Sequence, residues 1–447
     1  MKDAIRKDQE NDNTLWQDAI ALEMKNVRIA FEVFEGDTAE LKDYEHISGH
    51  LIFDIKLGEN FSRKARFVAD GYKASTPNTV TYSSVASKDS IRLFLLVVAL
   101  NDIEVQSADV QNAFLTAPVL EKMWMVAGPE FGPEQGKNMI VVRALYVLKS
   151  ASASFRSFMA NKLDGLGFKS SKADFDIWLR PAVKEDGEEY YEYVMLYVEE
   201  VMAANHQAIK VMEDLGRGIK YKNDKIETPD SYLGAQLVLK TLPNDLKCWY
   251  MSSDKYVNAA IKNVEEAIKK KSLKIPNKVR TPMDGTFIPE LDGTLELDNT
   301  DVKFYQEFIG ILRLATELGR ADVLHEVSIL SQYQASPRQG HLHQLLHIFG
   351  YLKKKPKMGL FMEPSLPNIN YGDFVTNPQD FVEYYRDASE SIPGDMPRPR
   401  GRTVTTTAFV DASFAVNKKT MKSHSGFLIH SKKIILIISL RHNLMKL

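Results

Sequence analysis

Apolar side chains recur at helical spacing along much of the chain. Within residues 1–45 they predict one lead helix followed by an acidic stretch with little pattern. Residues 91–100 have the length and leucine content of a buried helix, with Ser87 or Asp89 as its N-cap. Later helical patterns cover 155–166, 305–332 and 342–352.

Shorter apolar runs predict strands that end in charged residues. Two alternating pieces within residues 50–72 indicate a hairpin, and the run 103–109 indicates a strand that ends at Asp109. Two further apolar stretches flank Glu199 and Glu200, which predicts a strand, a tight turn and a second strand. The first hairpin is basic, and its cations are Lys56, Arg63, Lys64 and Arg66.

The glutamate pair has two interpretations. It is a solvated acidic turn, as charged turns usually are, or it is part of a metal site. A two-residue turn favours residues that adopt positive φ, so a Glu-Glu turn is unusual, and adjacent like charges repel unless a cation offsets them. If Asp109 lies beside Glu199 and Glu200, the three could hold two divalent ions ~3.5–4 Å apart for in-line phosphoryl transfer. Oxygen ligands favour magnesium.

The composition is that of an ordinary globular protein, with 447 residues, 44% apolar and 26% charged, which predicts about three domains. The 57 basic and 59 acidic side chains nearly cancel, so any nucleic-acid binding must come from a local surface. The single cysteine, Cys248, excludes an internal disulfide. No apolar run reaches the ~18 residues of a membrane helix. We expect a soluble protein without membrane contact, in the cytoplasm or, as the alternative, in the nucleus.

Five short motifs follow one another along the chain. They are 63–71 (RKARFVADG), 108–115 (ADVQNAFL), 144–149 (ALYVLK), 196–200 (LYVEE) and 232–234 (YLG). In this order they resemble the motifs of a copia-type retrotransposon reverse transcriptase. The resemblance extends over about nine tenths of the chain, from residue 50 onward, and its later parts are 305–318, 341–353, 409–413 and 425–427.

This resemblance implies an α+β fold: a right-hand polymerase with fingers, palm and thumb, then a connection and an incomplete ribonuclease H-like α/β domain. Asp411 matches the first of several metal-binding acids of ribonuclease H. Because the chain ends before the others, we expect a polyprotein fragment without ribonuclease H activity. The expected divisions are 1–45 (N-terminal helix and leader), 46–250 (fingers and palm), 251–300 (thumb-like), 301–400 (connection) and 401–447 (truncated ribonuclease H-like).

The resemblance also implies roles for individual residues. Asp109 matches the first catalytic aspartate of the family, and Glu199 and Glu200 stand where its hairpin has two aspartates. These three are the implied catalytic residues and the ligands of two Mg²⁺ or Mn²⁺ ions. Phe114 matches the aromatic residue that excludes a 2′-hydroxyl from the incoming nucleotide. The implied nucleotide-binding residues are Lys64, Arg66, Phe114 and Lys149.

Three positions depart from the family pattern. Glutamate has one methylene more than aspartate, so Glu199 and Glu200 would overreach by ~1 Å, a misplacement that can cost about 10²-fold in rate. Val147 stands where the family has glycine, and a β-branched residue adopts positive φ only with strain. We therefore expect impaired synthesis of DNA from deoxynucleoside triphosphates on a primed RNA or DNA template.

Two other functions stay open. One is a catalytically dead remnant of a retrotransposon polyprotein that only binds nucleic acid, which primer extension above background would exclude. The other is an unrelated two-metal nuclease, which would degrade nucleic acid without added nucleotides.

Histidines and basic runs suggest further sites. His343 and His347 could share a helix face and bind zinc, but without a third ligand nearby we favour packing or solvent exposure. Residues 364–399 have the Pro, Asp and Gly content of a linker. Three basic runs could follow a nucleic-acid backbone or be solvated faces, namely 269–280, 353–357 and 398–433.

Overall fold

The structure, a computed structural model, combines helices and strands throughout, which confirms the predicted α+β class. Most of the linker predicted over 364–399 lies outside the described residues. The structure describes residues 1–56, 62–75, 80–269, 271, 273–365, 383, 394–402, 406–413, 416–431 and 434–443.

The described residues contain ten α-helices and eighteen strands. The helices are α1 (Lys2–Glu10), α2 (Leu15–Val27), α3 (Lys88–Asn101), α4 (Ala113–Thr116), α5 (Ala151–Gly165), α6 (Ala208–Gly216), α7 (Asp254–Lys269), α8 (Asn299–Glu317), α9 (Leu324–Leu330) and α10 (Gln339–Lys354). The strands are β1 (Phe31–Phe34), β2 (Glu45–His46), β3 (Gly49–Lys56), β4 (Ser62–Ala69), β5 (Glu104–Asp109), β6 (Pro118–Val126), β7 (Asn138–Arg143), β8 (Lys169–Ser170), β9 (Ile177–Val183), β10 (Glu189–Tyr197), β11 (Glu200–Asn205), β12 (Ser231–Tyr232), β13 (Ala235–Thr241), β14 (Lys247–Ser252), β15 (Gly359–Met362), β16 (Thr406–Ala412), β17 (Ser423–Ser431) and β18 (Ile434–Asn443).

The chain divides into two compact units, each assembled from separated stretches. Unit 1 contains Met1–Ala86, Gln106–Arg180 and Glu192–Glu227. Unit 2 contains Ser87–Val105, Pro181–Tyr191 and Thr228–Leu447. The five domain divisions expected from the sequence stay predictions.

The strands of the first half of the chain form two sheets and a hairpin. One sheet has the order β1-β7-β6-β2, and the other has the order β5-β11-β10-β9-β8. The predicted basic hairpin is present as the antiparallel pair β3–β4, with Gly49 opposite Ala69. The predicted N-cap of α3 is Ser87, whose side chain accepts a hydrogen bond from the backbone N–H of Ser90.

The N-terminal region contains more structure than the single lead helix predicted from the sequence. The buried carboxylate of Asp8 accepts hydrogen bonds from the backbone N–H groups of Trp16 at 3.0 Å and Gln17 at 2.9 Å. This contact caps the start of α2 and separates it from α1. The acidic stretch after α2 contains β1, which pairs with β7. Four residues are too short a strand for alternation to stand out in the sequence.

Aromatic packing fixes β4 within unit 1. The rings of Phe31, Phe67 and Phe131 meet edge to face, with centroid separations of 5.3 to 5.9 Å. Such pairs are favourable beyond the area that they bury. A second core lies under β10 and β11 and includes Phe155 and Met159 of α5, as the helical pattern predicted.

Unit 2 is built around packed helices. A single core unites α7, α8, α9 and α10. The helical pattern predicted over 305–332 forms two helices, α8 and α9, and the pattern over 342–352 lies in α10. A sheet of order β12-β13-β14-β15 and a sheet of order β16-β17-β18 complete the described part of the unit. Asp411 lies in β16 with its backbone opposite Gly426, and its side chain lies outside the description. Within the described residues, no helix has the length and apolarity needed to cross a membrane.

Two histidines of α10, His341 and His347, lie against backbone carbonyl groups. His341 is buried; its Nδ1 accepts a hydrogen bond from the backbone N–H of Arg338 at 3.0 Å, and its Nε2 lies 2.9 Å from the carbonyl oxygen of Pro289. The Nε2 of His347 lies 3.0 Å from the carbonyl oxygen of Thr281. Burial lowers the pKa of His341 below its ordinary value.

Acid should destabilise the protein through His341. In the folded state the pKa of this ring lies below the ~6.5 at which the unfolded chain protonates it. Unfolding therefore takes up a proton, and the free energy of unfolding falls as the pH drops below that value. His341→Gln retains a donor and an acceptor but cannot titrate, so its urea-unfolding free energy should decline less between about pH 6.5 and 5.

The control for this prediction is His343→Gln, which changes an exposed histidine of the same helix. It should follow the wild-type pH dependence. An equally steep decline in His341→Gln would contradict the assignment.

Candidate active site

The candidate site forms where the end of β5 meets the turn between β10 and β11. The backbone N–H of Val110, the residue after Asp109, donates to the carbonyl oxygen of Glu199 at 2.7 Å. The next N–H, of Gln111, donates to the carbonyl oxygen of Lys220 at 2.8 Å. These bonds fix the backbones that carry the acidic side chains, whatever rotamers those side chains adopt.

Strands β10 and β11, which flank the turn, are buried on both faces. An apolar run without polar alternation is typical of a strand buried on both faces. The fully buried side chains are Val194, Met195, Val201, Met202, Ala203 and Ala204. The turn therefore stands on a packed base.

The turn lies one residue earlier than the sequence predicted. Tyr197 pairs with Glu200, so the two-residue turn is Val198 and Glu199, and Glu200 is the first residue of β11. Val198 has φ of +51°, in the left-handed region that disfavours β-branched residues. The turn residue that adopts positive φ is therefore Val198, and the backbone strain expected for a Glu-Glu turn lies at this residue.

Val147 adopts the positive φ that the family's glycine would allow. Its φ is +73°. The same loop passes close to Gly71, where a Cβ atom would lie 2.3 Å from the carbonyl oxygen of Val147. Position 71 therefore requires glycine, whereas position 147 carries backbone strain.

The three carboxylates have different surroundings. Asp109 is partly exposed, and its Oδ2 lies 3.7 Å from the Nζ of Lys222. Glu199 lines an open cleft. Glu200 is partly buried, and its Oε2 has no hydrogen-bond partner in the described part of the chain. Burial, and then the charges of Asp109 and Glu199, raise the pKa of Glu200 to about 7.

These carboxylates are of the ligand type that binds divalent cations, but their side chains are not arranged to surround one. Carboxylate oxygens are the ligands that Mg²⁺ prefers, and the orphaned oxygen of Glu200 is an available donor. Among the described residues, however, no three acidic, histidine or cysteine side chains form a group that could hold a metal ion. A backbone hydrogen bond joins the end of β5 to the turn before β11, whereas the carboxylate of Asp109 lies near the ammonium group of Lys222.

The cleft beside these residues is open to solvent and has a volume of about 250 Å³, slightly below the ~300–1,000 Å³ typical of ligand sites. Its walls come from α2, from Lys64 on β4, from Asp109 at the end of β5, from Tyr146, and from Lys222. The cleft is therefore lined both by cations of the basic hairpin, Arg63 and Lys64, and by the acidic residues Asp109 and Glu199.

Two other predicted nucleotide-binding cations contact protein groups. The guanidinium of Arg66 lies 5.9 Å from the ring centroid of Tyr146. The Nζ of Lys149 donates to the carbonyl oxygen of Ala74 at 2.7 Å. Lys149 thus ties two loops together and does not line the cleft.

Phe114 packs among aromatic rings behind the cleft wall. Its ring meets that of Tyr146 edge to face at 5.2 Å and that of Phe155 at 6.2 Å. Phe114 supports Tyr146, which does line the cleft.

The sequence analysis did not identify Tyr146, Lys222 or Glu23 as residues of the site, although all three line the cleft. Tyr146 lies inside the motif at 144–149, and burial together with the charge of Glu199 raises its pKa to about 12. Lys222 lies in a segment without regular pattern, so no sequence signal identifies it. Glu23 belongs to the lead helix, where its spacing from Ala19 indicated a helix face but not what that face contacts.

Two of the predicted basic runs meet in unit 2. The Nζ of Lys354 donates to the carbonyl oxygen of Val279 at 3.1 Å, and Lys353 pairs with Glu265 at 2.5 Å. The third run, 398–433, lies partly outside the described residues. The exposed cations of the first two runs, in the described residues, include Lys269, Lys274, Lys278, Arg280, Lys355 and Lys357.

Comparison with known families identifies the chain. Residues 39–278, more than half of its length, match the sequence model described as reverse transcriptase (RNA-dependent DNA polymerase). The chain belongs to this family. The match confirms the resemblance drawn from the five ordered motifs.

Several retrotransposon proteins are similar to this reverse transcriptase chain. The retrovirus-related Pol polyprotein from transposon RE1 of Arabidopsis thaliana is 26% identical over 330 residues, which cover 71% of this chain and 21% of that protein. The corresponding polyprotein from transposon TNT 1-94 of Nicotiana tabacum is 25% identical over 303 residues, covering 65% and 22%. The chain thus spans about a fifth of these relatives.

A shorter relative and a solved structure also match. The putative transposon Ty5-1 protein of Saccharomyces cerevisiae is 22% identical over 315 residues, covering 69% of this chain and 92% of that protein. The foamy viral protease-reverse transcriptase dRH, in complex with double-stranded DNA, aligns with a TM-score of 0.48 and 10% identity, covering 95% of this chain and 55% of that chain.

Glycine at position 198 should stabilise this reverse transcriptase chain. A left-handed conformation costs a β-branched residue roughly 1–2 kcal/mol, and part of this gain is offset by the greater freedom of glycine in the unfolded chain. We expect Val198→Gly to raise the free energy of unfolding by about 0.5–1 kcal/mol in urea denaturation.

The matched control is Val183→Gly, which changes an exposed valine of β9. Glycine weakens a regular strand, so this variant should lose stability. A loss of stability in Val198→Gly as well would refute the strain at the turn.

Proposed function

We propose that the cleft is a site for template-directed transfer of deoxynucleotides to a primer. The observation that carries the proposal is the hydrogen bond from Val110 to Glu199, which joins the segments that carry Asp109 and the glutamate pair. Asp109 and Glu199 line the same cleft as Lys64. Membership of the reverse transcriptase family supports this reading.

The acidic end would hold the metal ions. Asp109, Glu199 and Glu200 are the proposed ligands of two Mg²⁺ or Mn²⁺ ions, and their oxygens suit such ions. Bound there, the ions would supply charge neutralisation for in-line attack of a primer 3′-hydroxyl on the α-phosphate. Rotation of the glutamate side chains is required, because the backbone is already in place.

The other walls would position the nucleotide. Lys64 offers a positive charge to the triphosphate. Phe114, through its contact with Tyr146, would limit the space at the sugar and disfavour a 2′-hydroxyl. Arg66 and Lys149 would act by holding these walls.

The partners would be an RNA or DNA template with its primer and deoxynucleoside triphosphates. The exposed cations of the runs 269–280 and 353–357 support backbone binding, since clustered positive charge suffices for phosphate contacts. A cytoplasmic location fits these partners.

Impaired activity is part of the proposal. Glu199 and Glu200 are longer than the family's aspartates, and Val147 and Val198 strain the adjoining loops. The alternative, a nucleic-acid-binding protein without catalysis, is favoured by one observation: the ammonium of Lys222 lies 3.7 Å from Asp109, where a metal ion would be needed.

Restoring aspartates should raise the activity. The double variant Glu199→Asp, Glu200→Asp shortens both side chains by one methylene, so primer extension on a primed RNA template with Mn²⁺ should increase by about 10- to 100-fold over wild type. Radiolabelled extension products resolved on a denaturing gel measure this directly.

Asp109→Asn serves as the negative control, because it removes one charge from the site without changing its volume. Extension by the double variant that stays at the Asp109→Asn background, with template binding intact, would reject catalysis in favour of the binding alternative.

A further inference from the structure

Helix α2 lies outside the stretch that identifies the family, yet it forms one wall of the cleft. The family match begins at residue 39. The cleft-lining residues of α2 are Ala19, Leu22, Glu23 and Asn26. Their spacing places them in one stripe along the helix. The cleft therefore includes a surface that the family motifs do not describe.

A neighbouring face of α2 is attached to the β3–β4 hairpin. The ring of Trp16 meets Phe53 of β3 edge to face at 5.4 Å, and the guanidinium of Arg63 on β4 lies 5.4 Å from the ring centroid of Trp16. The buried carboxylate of Asp8 fixes the start of the helix through the N–H of Trp16. The hairpin thus packs on a helix that is itself anchored.

Glu23 makes the polar contact between this helix and β4. The backbone N–H of Phe67 donates to its Oε1 at 2.9 Å. In a two-stranded hairpin, alternate N–H groups lack a partner in the ladder, and Glu23 satisfies one of them. Phe67 is itself completely buried. The bond therefore fixes the position of β4 relative to α2.

Glu23 also balances the cations of the hairpin. Its half-buried carboxylate interacts electrostatically with Lys64 and Arg66, which lie on either side of Ala65 in β4. Two cations this close together on one strand repel each other unless an anion lies nearby. One carboxylate therefore serves both the backbone and the charges of β4.

We propose that Glu23 is a positioning residue of the nucleotide site, which holds β4 so that Lys64 faces the triphosphate. The nucleotide part rests on the function proposed above, whereas the anchoring of β4 does not. Glu23→Gln keeps the carbonyl acceptor for Phe67, and Glu23→Ala removes it. The hydrogen bond is the common element, so glutamine should rescue what alanine loses.

The test uses the full chain with a primed template and measures two quantities. Hydrogen exchange of peptides covering 62–69 reports the anchoring of β4, and equilibrium binding of dTTP with Mg²⁺ reports the nucleotide site. In Glu23→Ala we expect faster exchange of β4 and about tenfold weaker dTTP binding. Glu23→Gln should keep wild-type exchange and bind dTTP within about twofold of wild type.

Two control variants separate positioning from general effects. Asp18→Ala removes one negative charge from the exposed side of the same helix and should behave as wild type. Val27→Ala removes buried apolar volume from α2, so it should lower the thermal midpoint without weakening dTTP binding. A Val27→Ala variant that binds dTTP as weakly as Glu23→Ala would overturn the proposal, because loss of packing would then explain both.

The remaining outcomes are also decisive. Wild-type dTTP binding and wild-type β4 exchange in Glu23→Ala would overturn the positioning role. If the wild-type chain binds no dTTP, the proposed function and the nucleotide part of this proposal both fail, and the exchange rates alone decide whether Glu23 anchors β4.

Discussion

The hydrogen bond from the N–H of Val110 to the carbonyl oxygen of Glu199 is the contact on which the candidate site depends. It joins the end of β5 to the turn after β10, two points ninety positions apart in sequence numbering. The same juxtaposition continues in the sheet, where β5, which ends at Asp109, lies next to β11, which begins at Glu200. Because the bond is between backbone groups, it does not depend on which acidic residue each position carries, and glutamate in place of aspartate leaves it intact.

The candidate site brings the like-charged carboxylates of Asp109, Glu199 and Glu200 near one another. Asp109 faces Lys222, whereas Glu200 keeps one buried oxygen without a partner and has a raised pKa. Such a cluster is costly unless a cation enters or a proton is taken up. The ammonium of Lys222 offsets the charge of Asp109, and the raised pKa of Glu200 favours uptake of a proton there.

Local sequence patterns predicted most elements that have strong periodicity. The basic hairpin, the helix capped by Ser87, the strand ending at Asp109 and the paired strands around the glutamates are all present. The exact turn was missed because Val198 and Glu199 carry no turn signature, and tertiary packing of β10 and β11 decides the register. Lys222 and Glu23 were missed because their importance arises from neighbours distant in sequence. The five ordered motifs, not periodicity, pointed to the family.

Binding of Mn²⁺ followed by electron paramagnetic resonance tests the central claim most directly, namely that Asp109 and the glutamate pair act as one cation site. Free Mn²⁺ gives a strong signal that disappears on binding, so the titration needs neither template nor nucleotide. We expect saturable binding by the wild-type chain and at least about tenfold weaker binding by Asp109→Asn, since removing one charged ligand from such a site weakens it strongly. Equal affinity in the two proteins would contradict the account.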